Sequence, residues 1–379
     1  MTINNENKKL NVPNLRFPEF QGEWEKCKLG DVCTFLSGGT PKIDVKEYWN
    51  GTIPFVSAIS MHDTYILDSK LHISEEGLKH GSRLLTKNNL LLLVRGSMLW
   101  NTIPICLNKS DVAFNQDVKG IIANDTINNE FLLYWLKSKE QRLKYMVTGT
   151  GLGAGKLDTS DLLSMIVYIP AMKEQDKIAR LLSLFDERIA TQNKVIGKLQ
   201  SLIKGIAQKI VRSNKPNVRL TECMECKSST LQESEVCEQG TYPVYGANGI
   251  VGYLDNYNTE GEAIYIIKDG SGVGTVSYVT GKCSATGTLN TLQAKEGYSL
   301  QYLYYLLKVF TFEPYKTGMA IPHIYFKDYG KVKVFCPSYT EQLQYARLLS
   351  AIEGKLSIEK NILTSLSLQK QYLLRQMFI

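Results

Sequence analysis

Histidine is scarce in this chain of 379 residues: there are four, His62, His72, His80 and His323, with no pair at metal-ligand spacing, which excludes the usual imidazole-based zinc sites. Long apolar runs are missing too. The longest, such as Leu90 to Val94, fall far short of the roughly 20 residues a membrane helix needs, so no membrane partner is expected. The opening MTINNENKKLNVPN has no apolar core of the signal-peptide kind. A cytoplasmic address is the expectation, and the eight cysteines (27, 33, 106, 223, 226, 237, 283, 336) then read as reduced thiols. Charge of one sign is not concentrated anywhere. The net +7 and pI near 8.8 come from basic residues spread along the chain, so any basic surface for a polyanion has to be assembled by folding. Apolar residues at 44% and charged residues at 21% exclude bulk disorder.

Catalytic constellations are absent as well. Thr150-Gly-Leu-Gly-Ala-Gly-Lys156 has the look of a phosphate loop, but Thr150 stands where the first glycine belongs and Leu157 where a hydroxyl must meet magnesium. Gly149-x-Gly151-x-x-Ala154 has no strand before it, as a dinucleotide fingerprint requires. Cys223-x-x-Cys226 is half a zinc site, and even with Cys237 nearby no second close pair follows. Asp44-Val-Lys46 and Asp117-Val-Lys119 echo the tail of a nuclease site without a placed upstream carboxylate, and no Asn or Asp followed by Pro-Pro and an aromatic, the usual mark of adenine amino methylation, is present. The chain reads as a non-enzyme with no metal site.

What the chain does contain is a duplication. Pro170-x3-Glu174-Gln175-x3-Ala179-Arg180-Leu-Leu-Ser183 returns 167 residues later as Pro337-x3-Glu341-Gln342-x3-Ala346-Arg347-Leu-Leu-Ser350. Phe131 to Lys137 echoes Tyr302 to Lys308 at an offset of 171, and Thr148-Gly149 echoes Thr317-Gly318 at 169. Steady offsets in a kept order indicate one unit used twice, each a globular segment followed by a long helix. In the helical segments apolar positions alternate by four and three, the spacing of a coiled-coil seam. The first seam reads Ile178, Leu182, Phe185, Ile189, Gln192, Ile196, Leu199, continuing to Ile210; the second runs from Tyr345 through Leu349, Ile352, Leu356, Glu359, Leu363 and Leu366 to Met377. About 38 residues at 1.5 Å each make roughly 57 Å, longer than one domain needs, so the helices are expected to pair with each other, antiparallel and about a pseudo-two-fold axis. Gln192 and Glu359 are then expected to meet in a central polar layer that fixes register. Gly197, Gly205 and Gly354 interrupt good helix formers; close approach of a partner helix is one account of them.

The expected fold is α+β: an N-terminal arm over 1–22, a mixed α/β domain over 23–172, a coiled-coil helix over 173–212, a second mixed domain over 213–339 and a C-terminal helix over 340–379. Short β-rich runs (Thr52 to Ser57, Leu90 to Val94, Gly120 to Ala123, Ala263 to Lys268, Lys331 to Phe335) surround one apolar helix per domain, Glu130 to Lys137 and Leu300 to Lys308. Glycine-rich turns carry the donors that bind phosphates and base edges. Polar candidates for contact with a ligand, in such turns or near them, are Ser37, Thr40, Arg95, Ser97, Asn101, Asn115 and Gln116 in the first domain and Asn248, Lys268, Ser271, Thr288, Asn290, Lys316 and His323 in the second; the family resemblance of the chain makes them the DNA-contact candidates.

These features resemble the specificity (S) subunit of type I restriction–modification systems. The resemblance is carried by Val12-Pro-x-Leu-Arg-Phe-Pro-x-Phe20 with Trp24 and Leu29-Gly-Asp31, by Ser37-Gly-Gly-Thr-Pro41 with Tyr48-Trp49 and Ile53-Pro54, by both Pro-x3-Glu-Gln helix starts, and by Tyr242-Pro-Val-Tyr-Gly-Ala-Asn-Gly-Ile250-x-Gly252-Tyr253. It covers nearly the whole chain. The resemblance implies a DNA-binding subunit without an active site, each target-recognition domain reading one half of a gapped double-stranded target. It further implies two docked adenine methyltransferase subunits and two restriction/translocase subunits, with S-adenosylmethionine, ATP and magnesium bound by those partners. Two readers on one face of DNA want half-sites about one turn, or 34 Å, apart. The competing reading is a coiled-coil nucleic-acid or protein scaffold outside restriction–modification.

Overall fold

The computed structural model describes residues 11–151 and 153–379. The expected N-terminal arm therefore lies outside the described residues up to residue 10. Two compact units are formed, one from the residues up to Thr191 together with Leu363–Ile379, the other from Gln192–Ile362. Two long helices, Met172–Arg212 and Tyr339–Gln376, each contribute to both.

In the first unit a five-stranded sheet runs in the order Cys33–Ser37, Val118–Ala123, Leu90–Leu93, Ile105–Asn108, Tyr65–Ile66. Leu90–Leu93 is apolar at four successive positions and all four side chains are buried, the pattern of a strand covered on both faces. A four-stranded sheet, Leu71–Ile73, Ile53–Val56, Val112–Phe114, Leu84–Leu85, packs beside it. The helix Asn129–Ser138 buries every side chain from Phe131 to Leu136, as a helix apolar all round must. Asn128 caps it, its side-chain oxygen accepting from Phe131 N at 3.0 Å.

The second unit repeats this plan in shorter form. Its main sheet runs Met224–Ser228, Leu289–Ala294, Ala263–Ile267, Val276–Val279, and a smaller one runs Gly249–Leu254, Tyr242–Gly246, Ser284–Ala285. Ala263–Ile267 is buried throughout. Helix Leu300–Val309 is capped by Ser299.

The repeated Glu-Gln helix start acquires a physical meaning here. Gln175 is buried in the first turn of its helix; its amide donates to Pro170 O at 2.9 Å and Thr126 O at 3.0 Å, while its oxygen accepts from Asn128 N at 2.8 Å. Gln342 does the same, donating to Pro337 O at 2.9 Å and accepting from Ser299 N at 2.9 Å. In each unit this glutamine ties the entry of the long helix to the cap of the short buried one. The neighbouring acids differ. Glu174 is buried and holds Arg16 through two 2.8 Å bonds and Trp24 Nε1 at 3.3 Å, whereas exposed Glu341 accepts from the Ser338 hydroxyl at 2.6 Å.

Within each unit the two helices run side by side and antiparallel. In the second, Gln192 donates to Glu359 O at 2.9 Å and to the Glu359 carboxylate. In the first, Lys370 pairs with Asp186, both about 13% exposed. Every expected seam position is buried or half-buried. One correction concerns the start of the seam. Ile178 and Leu182 belong to the core of the first unit, with Trp24, Phe131, Met377 and Phe378, so there the stripe serves domain and helix pair together. A second concerns the glycines. A Cβ at Gly197, Gly205 or Gly354 would meet nothing within 4 Å, so close approach of a partner helix does not explain them.

Candidate nucleic-acid interface

At one end of the first unit's main sheet four loops converge. Strand Cys33–Ser37 pairs with Val118–Ala123 so that Ser37 lies opposite Lys119, whose ammonium donates to the Ser37 hydroxyl at 2.6 Å. The next residues fold tightly: a Cβ at Gly38 would come within 2.2 Å of Phe114 O, and Gly39 N donates to that same oxygen at 3.0 Å. Thr40 then donates to Gln116 at 2.7 Å. Asp117 O receives both Val94 N and Arg95 N, at 2.8 and 3.2 Å. Arg95 and Gly96 pair in turn with Lys156 and Gly155, and Lys156 with Thr148. Ser97 opens a 3-10 turn that ends at Asn101, where exposed Trp100 donates to Gly153 O at 3.0 Å.

Six candidates, Ser37, Thr40, Arg95, Ser97, Asn115 and Gln116, thus share one loop face, with Asn101 at the far end of the 3-10 turn. Arg95 is exposed and no side-chain hydrogen bond or ion pair engages its guanidinium among the described residues. Lys156 donates to Asp158 at 3.1 Å; hydrogen bonds from Ser160, then that ammonium, hold the Asp158 carboxyl down at about 2. The phosphate-loop look of Thr150 to Lys156 is a short hairpin, Thr148–Gly149 with Gly155–Lys156, and no helix begins at Lys156.

The second unit builds the same face by the same register. Ser228 lies opposite Asn290, as Ser37 lies opposite Lys119, and donates to its side-chain oxygen at 2.8 Å. Gly287 N bonds Leu231 O at 2.7 Å, Thr286 N bonds Tyr245 O at 2.9 Å and Lys268 N bonds Thr288 O at 3.0 Å. Asp269 bridges to His323 and His323 to Thr317, repeating the Arg95, Lys156, Thr148 ladder. The His323 Nδ1 and Asp269 Oδ1 atoms are 2.7 Å apart.

Lys268, Ser271, Thr288 and His323 come together here, with Asn248 at the turn of the Tyr242–Leu254 hairpin above Thr286. Two candidates do not fit as expected. Asn290 is 3% exposed and spent on Ser228, so it supports the loop and is removed from the contact set. Lys316 is held by Glu313 at 2.5 Å.

Sequence reasoning passed over Lys119, Lys156, Ser228 and Asp269. Lys119 and Lys156 sit inside patterns discarded as nuclease and phosphate-loop echoes. The Thr-Gly echo at an offset of 169 was the available signal for Lys156, since it marks the same hairpin as His323. Ser228 carries no Gly-Gly-Thr-Pro after it, so only strand register reveals it as the partner of Ser37.

A second polar contact is also duplicated. Tyr134 donates to Asp186 at 2.8 Å and Tyr305 to Glu353 at 2.7 Å, each tying the short buried helix to the long one. Burial alone would raise the Glu353 carboxyl, but Lys308 at 2.8 Å and the Tyr305 hydroxyl outweigh it and hold it below its ordinary value. In the first unit Lys370 takes Asp186, and Lys137 turns to Thr64 at 2.7 Å. Desolvation, then the nearby Lys370 charge, lowers Lys137 to about 8. All eight cysteines are unpaired. Among the described residues no group of three or more His, Cys, Asp or Glu is placed to hold a metal, and no helix is long and apolar enough to cross a membrane.

Comparison with known proteins places this architecture. The chain is 31% identical over 174 residues to the Escherichia coli type I restriction enzyme EcoR124I/EcoR124II specificity subunit, a match covering 45% of this chain and 43% of that protein. It thus spans less than half the length of that relative. A longer match, 22% identical over 357 residues, covers 87% of this chain and 88% of the Escherichia coli EcoprrI specificity subunit. The fold is that of the crystallised type I restriction–modification S subunit from M. genitalium, with a TM-score of 0.68 at 21% identity over 97% of this chain and 99% of that one. The model of the type I restriction modification DNA specificity domain matches twice, over residues 21–201 and 213–368. With the domain present in two copies over most of its length, the chain belongs to the type I restriction modification DNA specificity domain family.

Proposed function

We propose that this chain is the sequence-specificity subunit of a type I restriction–modification complex. Each unit's loop face reads one half of a bipartite, gapped double-stranded target, and the paired helices dock two methyltransferase and two restriction/translocase subunits in the cytoplasm. The chain itself performs no catalysis. S-adenosylmethionine, ATP and magnesium belong to the partner subunits.

The observation that carries this reading is the duplicated loop face. Strand register is kept between the units while the exposed side chains differ, Arg95 against Asp269 and Lys156 against His323. A scaffold with one ligand repeated would keep the side chains as well. Phosphate contacts position a protein on DNA and base-edge contacts specify sequence, so two faces of one backbone and two chemistries suit two different half-sites.

The test is co-expression with an adenine methyltransferase partner in a methylation-free host, followed by mapping of N6-methyladenine. A gapped two-part motif in which only one half changes when one globular segment is exchanged supports the reading. Methylation by the chain alone, or a contiguous single-part motif, overturns it.

A further inference from the structure

Resting on the reading above, we propose that the two faces divide the work of binding: the first unit supplies the phosphate contacts, and the second reads its half-site with little electrostatic anchoring of its own. The argument comes from positions matched by strand register. Where the first face has Arg95, Lys156 and Lys119, the second has Asp269, His323 and Asn290.

The remaining cations sharpen the contrast. On the second face Lys268 lies 3.9 Å from Asp269 and Lys316 is held by Glu313, so each already has a carboxylate, while Lys227, one residue before Ser228, is directed along the sheet to the Gln293 side-chain oxygen at 3.3 Å. On the first face Lys156 has Asp158, but Lys119 contacts only a hydroxyl and Arg95 has no acidic partner among the described residues. An ammonium or guanidinium without a carboxylate is free to displace counterions from phosphate. One already neutralised must first give up its partner.

Asp269 points to the chemistry of the second face. A one-third-exposed carboxylate is repelled by phosphate, so on DNA it is useful only against a donor. In the major groove that means an amino group, of which cytosine N4 is the usual partner for aspartate. His323, held against it at 2.7 Å, keeps its second ring nitrogen for the ligand. The second half-site is therefore read by an acceptor and an imidazole.

The experiment measures affinity for duplex target across a potassium chloride series, using the full chain purified with its methyltransferase subunits. Arg95→Gln and Lys119→Gln are each expected to flatten the plot of log affinity against log salt by about 0.9, one phosphate contact each. Lys268→Gln and Lys316→Gln are expected to leave that slope unchanged. His323→Gln is expected to alter the preferred base in the second half-site at constant slope. Equal flattening by changes on both faces, or none from the first, overturns the division of work while leaving the specificity reading intact. Absence of a bipartite preference in the unaltered complex sinks both.

Discussion

Gln175→Leu isolates the contact that joins each long helix to its domain. Leucine fills nearly the same volume but forms none of the three hydrogen bonds, stranding the half-buried Asn128 N–H and the buried Pro170 C=O. Thr126 is exposed, so water can replace its partner. Two orphaned groups at about 1–3 kcal/mol each give about 2–6 kcal/mol, and the greater apolarity of leucine, worth about 1–2 kcal/mol, brings the net loss to about 1–4 kcal/mol. The assay is built into the sequence, because all four tryptophans (24, 49, 100, 135) lie in the first unit. Their fluorescence in a urea titration follows that unit alone, and the midpoint should fall with the slope unchanged. Gln342→Leu strands the equivalent pair, Ser299 N–H and Pro337 C=O, and should cost a similar amount by far-ultraviolet circular dichroism. A fluorescence shift worth under about 0.5 kcal/mol for Gln175→Leu, the size of an ordinary surface change, would refute the assignment.

Three further outcomes are expected. Gln192→Leu leaves the Glu359 carboxylate without its amide donor and should destabilise by about 1–3 kcal/mol; the double change with Glu359→Leu should recover most of that, and a double-mutant cycle with no coupling would show that the two do not act as a pair. Lys137 titrates near 8 when folded, below the ordinary lysine range, so between about pH 8 and 10.5 the unfolded chain holds a proton the folded chain has released. Stability of the first unit should therefore gain a rising contribution across that window, which Lys137→Met removes while stabilising the protein at pH 7; identical pH profiles by tryptophan fluorescence would contradict the desolvation. Gly38→Ala brings a Cβ within 2.2 Å of Phe114 O and 2.5 Å of Asn115 O, backbone atoms that cannot swing aside, and should abolish target preference in methylation mapping while costing the unit about 1–3 kcal/mol in the urea titration; an unchanged midpoint together with an unchanged target would refute the close approach.

What could be read in the sequence, and what could not, follows burial. The helices, their four-three stripes and the Glu-Gln entries were legible because each is a local pattern with a fixed period, and Gln192 and Glu359 could be paired from equal places in two stripes. The role of Gln175 and Gln342 was hidden, since their partners Asn128 and Ser299 lie more than forty residues away and nothing in the spacing announces them. Asn290 was misjudged for a related reason. A polar residue beside Gly287 and Thr288 looks like part of a loop, but cross-strand pairing with Ser228 places it inside. Lys119 was invisible in the opposite sense, being one residue of a strand whose exposure depends on where its neighbour Cys33–Ser37 ends.

The two units keep what must be buried and change what need not be. Gln175 and Gln342, about 1–2% exposed, cannot vary without orphaning backbone groups, and Tyr134 and Tyr305 are held to acids on the long helices by the same logic. Loop side chains meet no such constraint. Replacing Arg95 by the equivalent of Asp269 breaks no contact, because the ladder to Lys156 or His323 is made by backbone, and surface changes of this kind usually fall within about 0.5 kcal/mol. A protein built this way can exchange its exposed chemistry while its stability stays level. Under the proposed reading, recognition of a new sequence requires changes only at the ends of strands, and the buried ties from each domain to its long helix need not change at all.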